Sequence, residues 1–462
     1  MRVSGITADC LFAALLASYL AAQTPPKSIN PAVKKIVAAI SEERIASNLK
    51  KLESFETRNI FSDQNHATHG VGAARKWIYE QFESYSPRLQ VSLDEYKVKK
   101  QARVVRGVEL VNIVAVLPGT ENAERQFIVS GHYDSLSQVF KPGHDLDSAE
   151  PVVDEEKSAA EPLAPGVTDD ASGTAAVLEL ARVMSQFEFK KTIVFVAFAG
   201  EEEGLLGSRL YAAKARGENR IVDGVLNNDI IGSDIAGDGR IENRTVRVFS
   251  EEPADSPSRQ LARYIQEIGA RYVPWVKVDL IFRHDRFGRG GDHTPFNAKG
   301  YAAVRFTTPA ENYSNQHTPT DTFANTSPAY TAQVTRINAA ALSSLALAPR
   351  APVVMRVITT GANKGQLTLN IARGKSRYDA VLKWTTDAAE PSVAGYAVVM
   401  RATTAPFWQK EIWVGNVSEF SLENVSIDDS IFGVKAIDQD GNESLVSVYV
   451  TAAFPAGPVE VY

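Results

Sequence analysis

Five short apolar runs constrain this chain most. They fall at residues 109–117, 126–131, 192–199, 224–231 and 301–306, and the run Ile193-Val194-Phe195-Val196-Ala197-Phe198-Ala199 has no polar side chain on either face. A strand of that kind needs cover on both sides. Segments of helical length lie between the runs at 172–186, 205–216 and 257–269, and another follows at 328–347. This alternation predicts an α/β fold: a mostly parallel mixed sheet with helices on both faces. Residues 30–85 add helices ahead of it, because Ile36, Val37, Ile40, Ile45, Leu49 and Leu52 recur at helical spacing, and Trp77, Ile78 and Phe82 mark a second amphipathic stretch. The segment 138–165 is rich in Asp, Glu, Pro and Ala without a period, and reads as a long surface loop.

The pattern changes at Ala348-Pro349-Arg350-Ala351-Pro352. Beyond it come short alternating stretches such as Ala380-Val381-Leu382-Lys383-Trp384 and Ile431-Phe432-Gly433-Val434-Lys435-Ala436, separated by turns like Asp440-Gly441-Asn442. These predict a C-terminal all-β sandwich over 351–462. Trp384, Gly395-Tyr396 and Val434-Lys435-Ala436-Ile437-Asp438 resemble a fibronectin type III domain, a resemblance that spans 351–457. The start of the chain reads differently. Arg2, the apolar stretch Leu11–Ala17 and the small residues Ala21-Ala22 read as a signal peptide over 1–22, so the mature protein is expected to be secreted or periplasmic. An uncleaved N-terminal anchor is the alternative. No membrane span is expected after signal removal.

Composition narrows the chemistry. With 49 Lys+Arg against 55 Asp+Glu, the net charge of −6 argues against a nucleic-acid binder. Cys10 is the single cysteine and lies within the signal, so a metal site in the mature chain must use His, Asp and Glu. Residues of that kind gather where the apolar runs end, the place where open α/β sheets bind ligands. They are Gly131-His132-Tyr133-Asp134-Ser135, Gly166-Val167-Thr168-Asp169-Asp170-Ala171-Ser172-Gly173, Gly200-Glu201-Glu202-Glu203-Gly204, Asn227-Asn228-Asp229 and His317-Thr318-Pro319-Thr320-Asp321-Thr322. Each alone has a plain explanation: a surface turn, a helix cap or a solvated acidic loop. Together they supply His, Asp, Glu, Asp and His in chain order.

Those five stretches resemble the co-catalytic two-zinc exopeptidases, which include the bacterial leucyl aminopeptidases and, more distantly, glutamate carboxypeptidase. The resemblance covers about residues 30–348 and makes 23–348 the catalytic domain. It implies two Zn2+ per chain and a peptide substrate. Asp169 would bridge the ions, His132 and Asp229 would complete one, and Glu202 and His317 the other. Glu201 would be the general base, Asp134 would orient His132, and Asp321 would support His317. The following Asp170 matches a position where the family often has a cis peptide. The chain departs from the pattern at Thr168, where many relatives have Asp or Asn, and in having no tyrosine between 273 and 300 to hold an oxyanion. Arg286, Arg289 and His293 lie in that stretch and are candidates for substrate binding.

Three functions are compatible with this sequence. The first is an aminopeptidase. The second is a carboxypeptidase or acidic-dipeptide hydrolase that holds a substrate carboxylate with Arg286 or Arg289. The third is a receptor-like binding protein without catalysis. The C-terminal domain fits attachment to a surface or polymer, with a spacer as the plainer role. Asn-X-Ser/Thr sequons begin at Asn243, Asn312, Asn325, Asn416, Asn424 and Asn442 and matter in a host that glycosylates.

Overall fold

The computed structural model describes residues 29–145, 152–285, 289–385 and 392–450. The signal at 1–22 and Arg286 lie outside these residues. Two compact units separate by their internal packing, Pro31–Leu347 and a second that takes in, of the described residues, Ile29 and Asn30 with those of 348–385 and 392–450.

In the first unit, helices α1 (Pro31–Ala38), α2 (Glu42–Glu53) and α3 (Gly70–Tyr85) precede strands β1 (Gln90–Val98), β2 (Val108–Leu117) and β3 (Asn122–His132). Then come α4 (Glu155–Ser158), α5 (Ser172–Met184), β4 (Lys191–Phe198), α6 (Leu206–Gly217), β5 (Ile221–Asn228) and β6 (Thr245–Ser250). The unit closes with α7 (Pro257–Tyr272), β7 (Lys277–Ile281), α8 (His293–Ala298), β8 (Ala303–Thr307) and α9 (Pro328–Leu347). Caps set helix starts where the sequence allows. The Ser41 hydroxyl accepts from the Arg44 amide ahead of Glu42 and Glu43, and Ser256 does the same for Arg259 with Pro257 at the first helical position.

The strands form one sheet in the order β1-β2-β4-β3-β5-β8-β6-β7. The central strands β4, β3, β5 and β8 run parallel, while β2 is antiparallel to β1 and β4, and β6 is antiparallel to β8 and parallel to β7. Val194, Val196 and Phe198 of β4 pack with Tyr211, Ala212 and Ala215 of α6 and Phe296 of α8. The alternate residues Ile193, Phe195 and Ala197 are also buried, on the side of α5 and α9. Cover on both faces is what the unbroken apolar run requires.

Three strands are not legible as apolar runs. β1 and β7 are the sheet edges, and β1 exposes or half-exposes most of its side chains. β6 alternates, with Val246 and Val248 buried between more exposed neighbours. The described residues of the segment 138–165 are more ordered than a surface loop: Phe140 pairs with Val153, α4 forms among them, and Ser158, Ala159 and Ala164 are buried.

The second unit is all antiparallel. It has sheets β9 (Met355–Val357) with β10 (Leu367–Leu369), β11 (Ile371–Ala372) with β12 (Ala380–Lys383) and β15 (Glu419–Leu422), and β14 (Lys410–Gly415), β13 (Val393–Ala402), β16 (Ser430–Asp438) and β17 (Ser447–Val448). Its core holds Leu382, Trp384, Tyr396, Val398, Phe432 and Val434, with the Trp384 and Tyr396 rings 5.5 Å apart.

Candidate metal and catalytic site

Because β4, β3 and β5 are parallel neighbours, the turns that leave them lie together at the C-terminal ends of these central strands. His132 ends β3, Glu201 and Glu202 follow β4, and Asp229 follows β5. Asp169 and Asp170 sit in the turn that opens α5, joined by a cis peptide. His317 lies between β8 and α9.

The five expected ligands meet. His132 Nε2 is 3.2 Å from Asp169 Oδ1 and 3.8 Å from Asp229 Oδ1. His317 Nε2 is 3.1 Å from both Asp169 Oδ2 and Glu202 Oε2. Asp169 therefore presents one oxygen to each half of the cluster. Donor atoms of His132, Glu201 and Asp229 lie within 4.8 Å of one another, as do those of Asp169, Glu202 and His317.

Three buried acids hold these groups without joining them. The Asp134 carbonyl lies 3.2 Å from His132 Nδ1 and its carboxylate 3.6 Å, while the carboxylate accepts from the Glu201 and Glu202 amides at 3.3 and 3.2 Å. Asp134 thus contacts His132 and holds the turn that carries Glu201. Asp170 accepts from the amides of His132, Gly173 and Ile230, tying three chain segments together. Asp321 corrects an expectation. Its carboxylate accepts from the Thr168 amide at 2.9 Å and the Asp169 amide at 3.0 Å, so it fixes Asp169 rather than His317. Burial pushes the Asp321 carboxyl up to about 6, against those hydrogen bonds.

Two arginines complete the framework, and sequence reasoning missed both. Arg58 is fully buried and donates to the carbonyls of Leu52, Tyr133, Pro165 and Gly166, joining the turns on either side of the site. Burial lowers its pKa to about 10. Arg305 of β8 pairs with Asp229 at 3.1 Å and with Asp285. Neither arginine sits in a motif. Their partners are distant in sequence, so only the fold reveals them.

Burial pushes the Glu201 carboxyl well above the ordinary range; His132 opposes the shift, and Asp229, Glu202 and Asp292 add to it. For His132, burial acts downward, but Asp134, Asp169 and Asp229 win and raise its pKa well above the usual value. Asp169 is held well below the ordinary range, as His132 and His317 outweigh the burial that would raise it. The cluster opens into a cavity of about 610 Å³, whose wall includes Arg103, Leu205, Arg209, Arg289 and Tyr313.

The stretch expected to bind substrate divides. Arg289 reaches the cavity wall, but Glu311 at 2.9 Å and Asp285 at 3.6 Å hold its guanidinium. His293 is 1% exposed at the start of α8, with its Nε2 3.6 Å from Glu251 Oε1 and the next residue, Thr294, on the cavity wall. Tyr313 is a tyrosine on the wall that sequence reasoning missed, four residues before His317 and outside the stretch where one was sought.

Known proteins resemble the chain in sequence and in fold. The model of peptidase family M28 matches residues 112–342. A probable zinc metalloprotease of Leptosphaeria maculans is 36% identical over 452 residues, covering 90% of this chain and 97% of that one. The chain belongs to peptidase family M28. As a member it is a zinc-dependent peptidase. In fold, the M28 chain is similar to the LapA aminopeptidase of Legionella pneumophila, with a TM-score of 0.50 at 19% identity over 71% of this chain and 79% of that one. A glutaminyl cyclase of Macrostomum lignano is similar too, with a TM-score of 0.51 at 17% identity over 70% of this chain and 94% of that one. At such identities these likenesses concern the fold alone.

Proposed function

We propose that this M28 peptidase is an exported aminopeptidase that works with two zinc ions. One observation carries the reading: the two oxygens of Asp169 face two separate imidazoles, each with its own further carboxylate. The donor set suits zinc. It is imidazole and carboxylate without sulfur, and Glu202 Oε1 is buried with no hydrogen-bond partner. Clustered carboxylates of this kind repel unless cations lie between them. His132 and Asp229 would hold one ion, Glu202 and His317 the other, with Asp169 shared. When bound, zinc supplies Lewis-acid polarisation of the scissile carbonyl and acidifies the attacking water.

Glu201 is the proton carrier. Its backbone amide is held by Asp134, and a carboxylate placed there can take a proton and return it. It removes one proton from the attacking water as oxygen bonds to the carbonyl carbon. It then delivers that proton to the leaving amine as the C–N bond breaks. The capture of Arg289 by Glu311 and Asp285 weighs against a carboxypeptidase that uses this arginine.

Residues 23–462 would be assayed with an aminoacyl anilide, its N-acetylated form and a C-terminal glutamyl dipeptide. The aminopeptidase reading expects hydrolysis of the free-amine anilide and loss on acetylation. Cleavage that ignores acetylation and requires a free C-terminal carboxylate would overturn it.

A further inference from the structure

We propose that Asn243 carries an N-linked glycan whose first N-acetylglucosamine rests on the indole of Trp275. The proposal relies on the export reading, since the modification belongs to the secretory route. Two sequons in the chain have their asparagines occupied. Asn442 is 4% exposed, its Nδ2 donates to Asp438 at 2.8 Å, and its Oδ1 accepts from Asn30 at 3.0 Å. Asn325 Nδ2 donates to the Thr320 carbonyl at 2.8 Å. Asn243 differs: it is exposed just before β6, and its side chain makes no hydrogen bond among the described residues.

Pairing then sets its neighbour. β6 and β7 are parallel with Thr245 opposite Lys277, so Asn243 and Trp275 each stand two residues ahead of that pair, side by side at the same end of the sheet. Both line a groove of about 360 Å³ with Asp234, Arg244 and Tyr330. Trp275 is 53% exposed, yet its Nε1 donates to Gln333 at 2.7 Å, which fixes the ring. A fixed, exposed aromatic face suits the C–H face of a pyranose, whose hydrogens carry partial positive charge against the ring's negative face. Asp234 and Arg244 offer polar partners at the sugar's edge. In the reaction, Asn243 Nδ2 bonds to the anomeric carbon of a polyprenyl-diphosphate-linked oligosaccharide and loses a proton. The bond from that carbon to the diphosphate breaks, and the lipid diphosphate leaves.

The test is glycopeptide mass spectrometry on the full mature chain secreted by yeast, once with residues 1–22 and once with the yeast's own leader replacing them. With the host leader, Asn243 is expected to be occupied and Asn442 bare, and an unmodified Asn243 overturns the proposal. Retention in the cell of the native-leader form alone would count against the export reading and leave the glycan result standing. Tm of the yeast protein should fall in N243Q, and that fall should vanish in a W275A background and in unglycosylated protein from bacteria. An equal fall with and without Trp275 overturns the stacking contact.

Discussion

Asp321 uses both carboxylate oxygens on the amides of Thr168 and Asp169, so it acts on the site through the backbone that carries Asp169, the proposed shared ligand. In Asp321→Asn, an NH2 group would face one of those N–H donors. Zinc affinity should fall about 10- to 100-fold, as for other groups that support metal ligands. Competition with a chelator measures it, and turnover at saturating zinc should change much less. His293 gives a pH prediction. Burial, aided by the Arg305 cation, lowers its pKa from an ordinary 6.5 to about 3. Between those values the unfolded chain binds the extra proton, so stability rises with pH through this window and is lost on acidification below about 6.5. His293→Gln should remove a slope of at most about 1.4 kcal/mol per pH unit. Urea titrations of both proteins at pH 5 and pH 7 (roughly bracketing His titration) would show it, and equal slopes would contradict the assignment. At this scale the five residues that meet were legible, because each sits in a short recognisable string at a strand end, at a helix start or in a loop. Arg58 and Arg305 were not, because their roles come from carbonyls and acids that only the fold brings near.

At the level of elements, the close approach of α5 to the ends of β3 and β5 sets the site. Gly173, in the first turn of α5, faces the Asn228 carbonyl and the Asp170 carboxylate so closely that a Cβ would collide with both. Asp170 in turn holds the His132 amide. Gly173→Ala should therefore cost about 1–3 kcal/mol from overpacking and also weaken zinc binding. Chemical denaturation and metal titration read the two effects separately, and a stable variant with unchanged affinity would refute the link. The apolar strands and long helices were legible from period and burial. The edge strands β1 and β7 were not, since one open side lets polar residues occupy them. The order within 138–165 was hidden for another reason. Its anchors are single contacts, such as the Gln138 amide on the His317 carbonyl at 2.8 Å, and they leave no periodic trace.

Across the whole molecule, the α/β class, its mostly parallel mixed sheet and the all-β C-terminal part follow from the alternation of runs and the change of pattern at residues 348–352, while the identity of the reversed strands does not. A strand's sequence has the same appearance whether its neighbour is parallel or antiparallel, so the reversed β2, β6 and β7 needed the structure. The central chemical claim concerns the first unit: a two-zinc centre with Glu201 moving the proton. Its most direct test is zinc content measured beside turnover in wild-type and Glu201→Gln protein. About two zinc ions per chain in both, as co-catalytic metal sites hold, with activity lower by about 10²–10⁴ in the variant, is the expected result. One zinc ion in the wild type, or a Glu201→Gln variant that keeps its turnover, would contradict it.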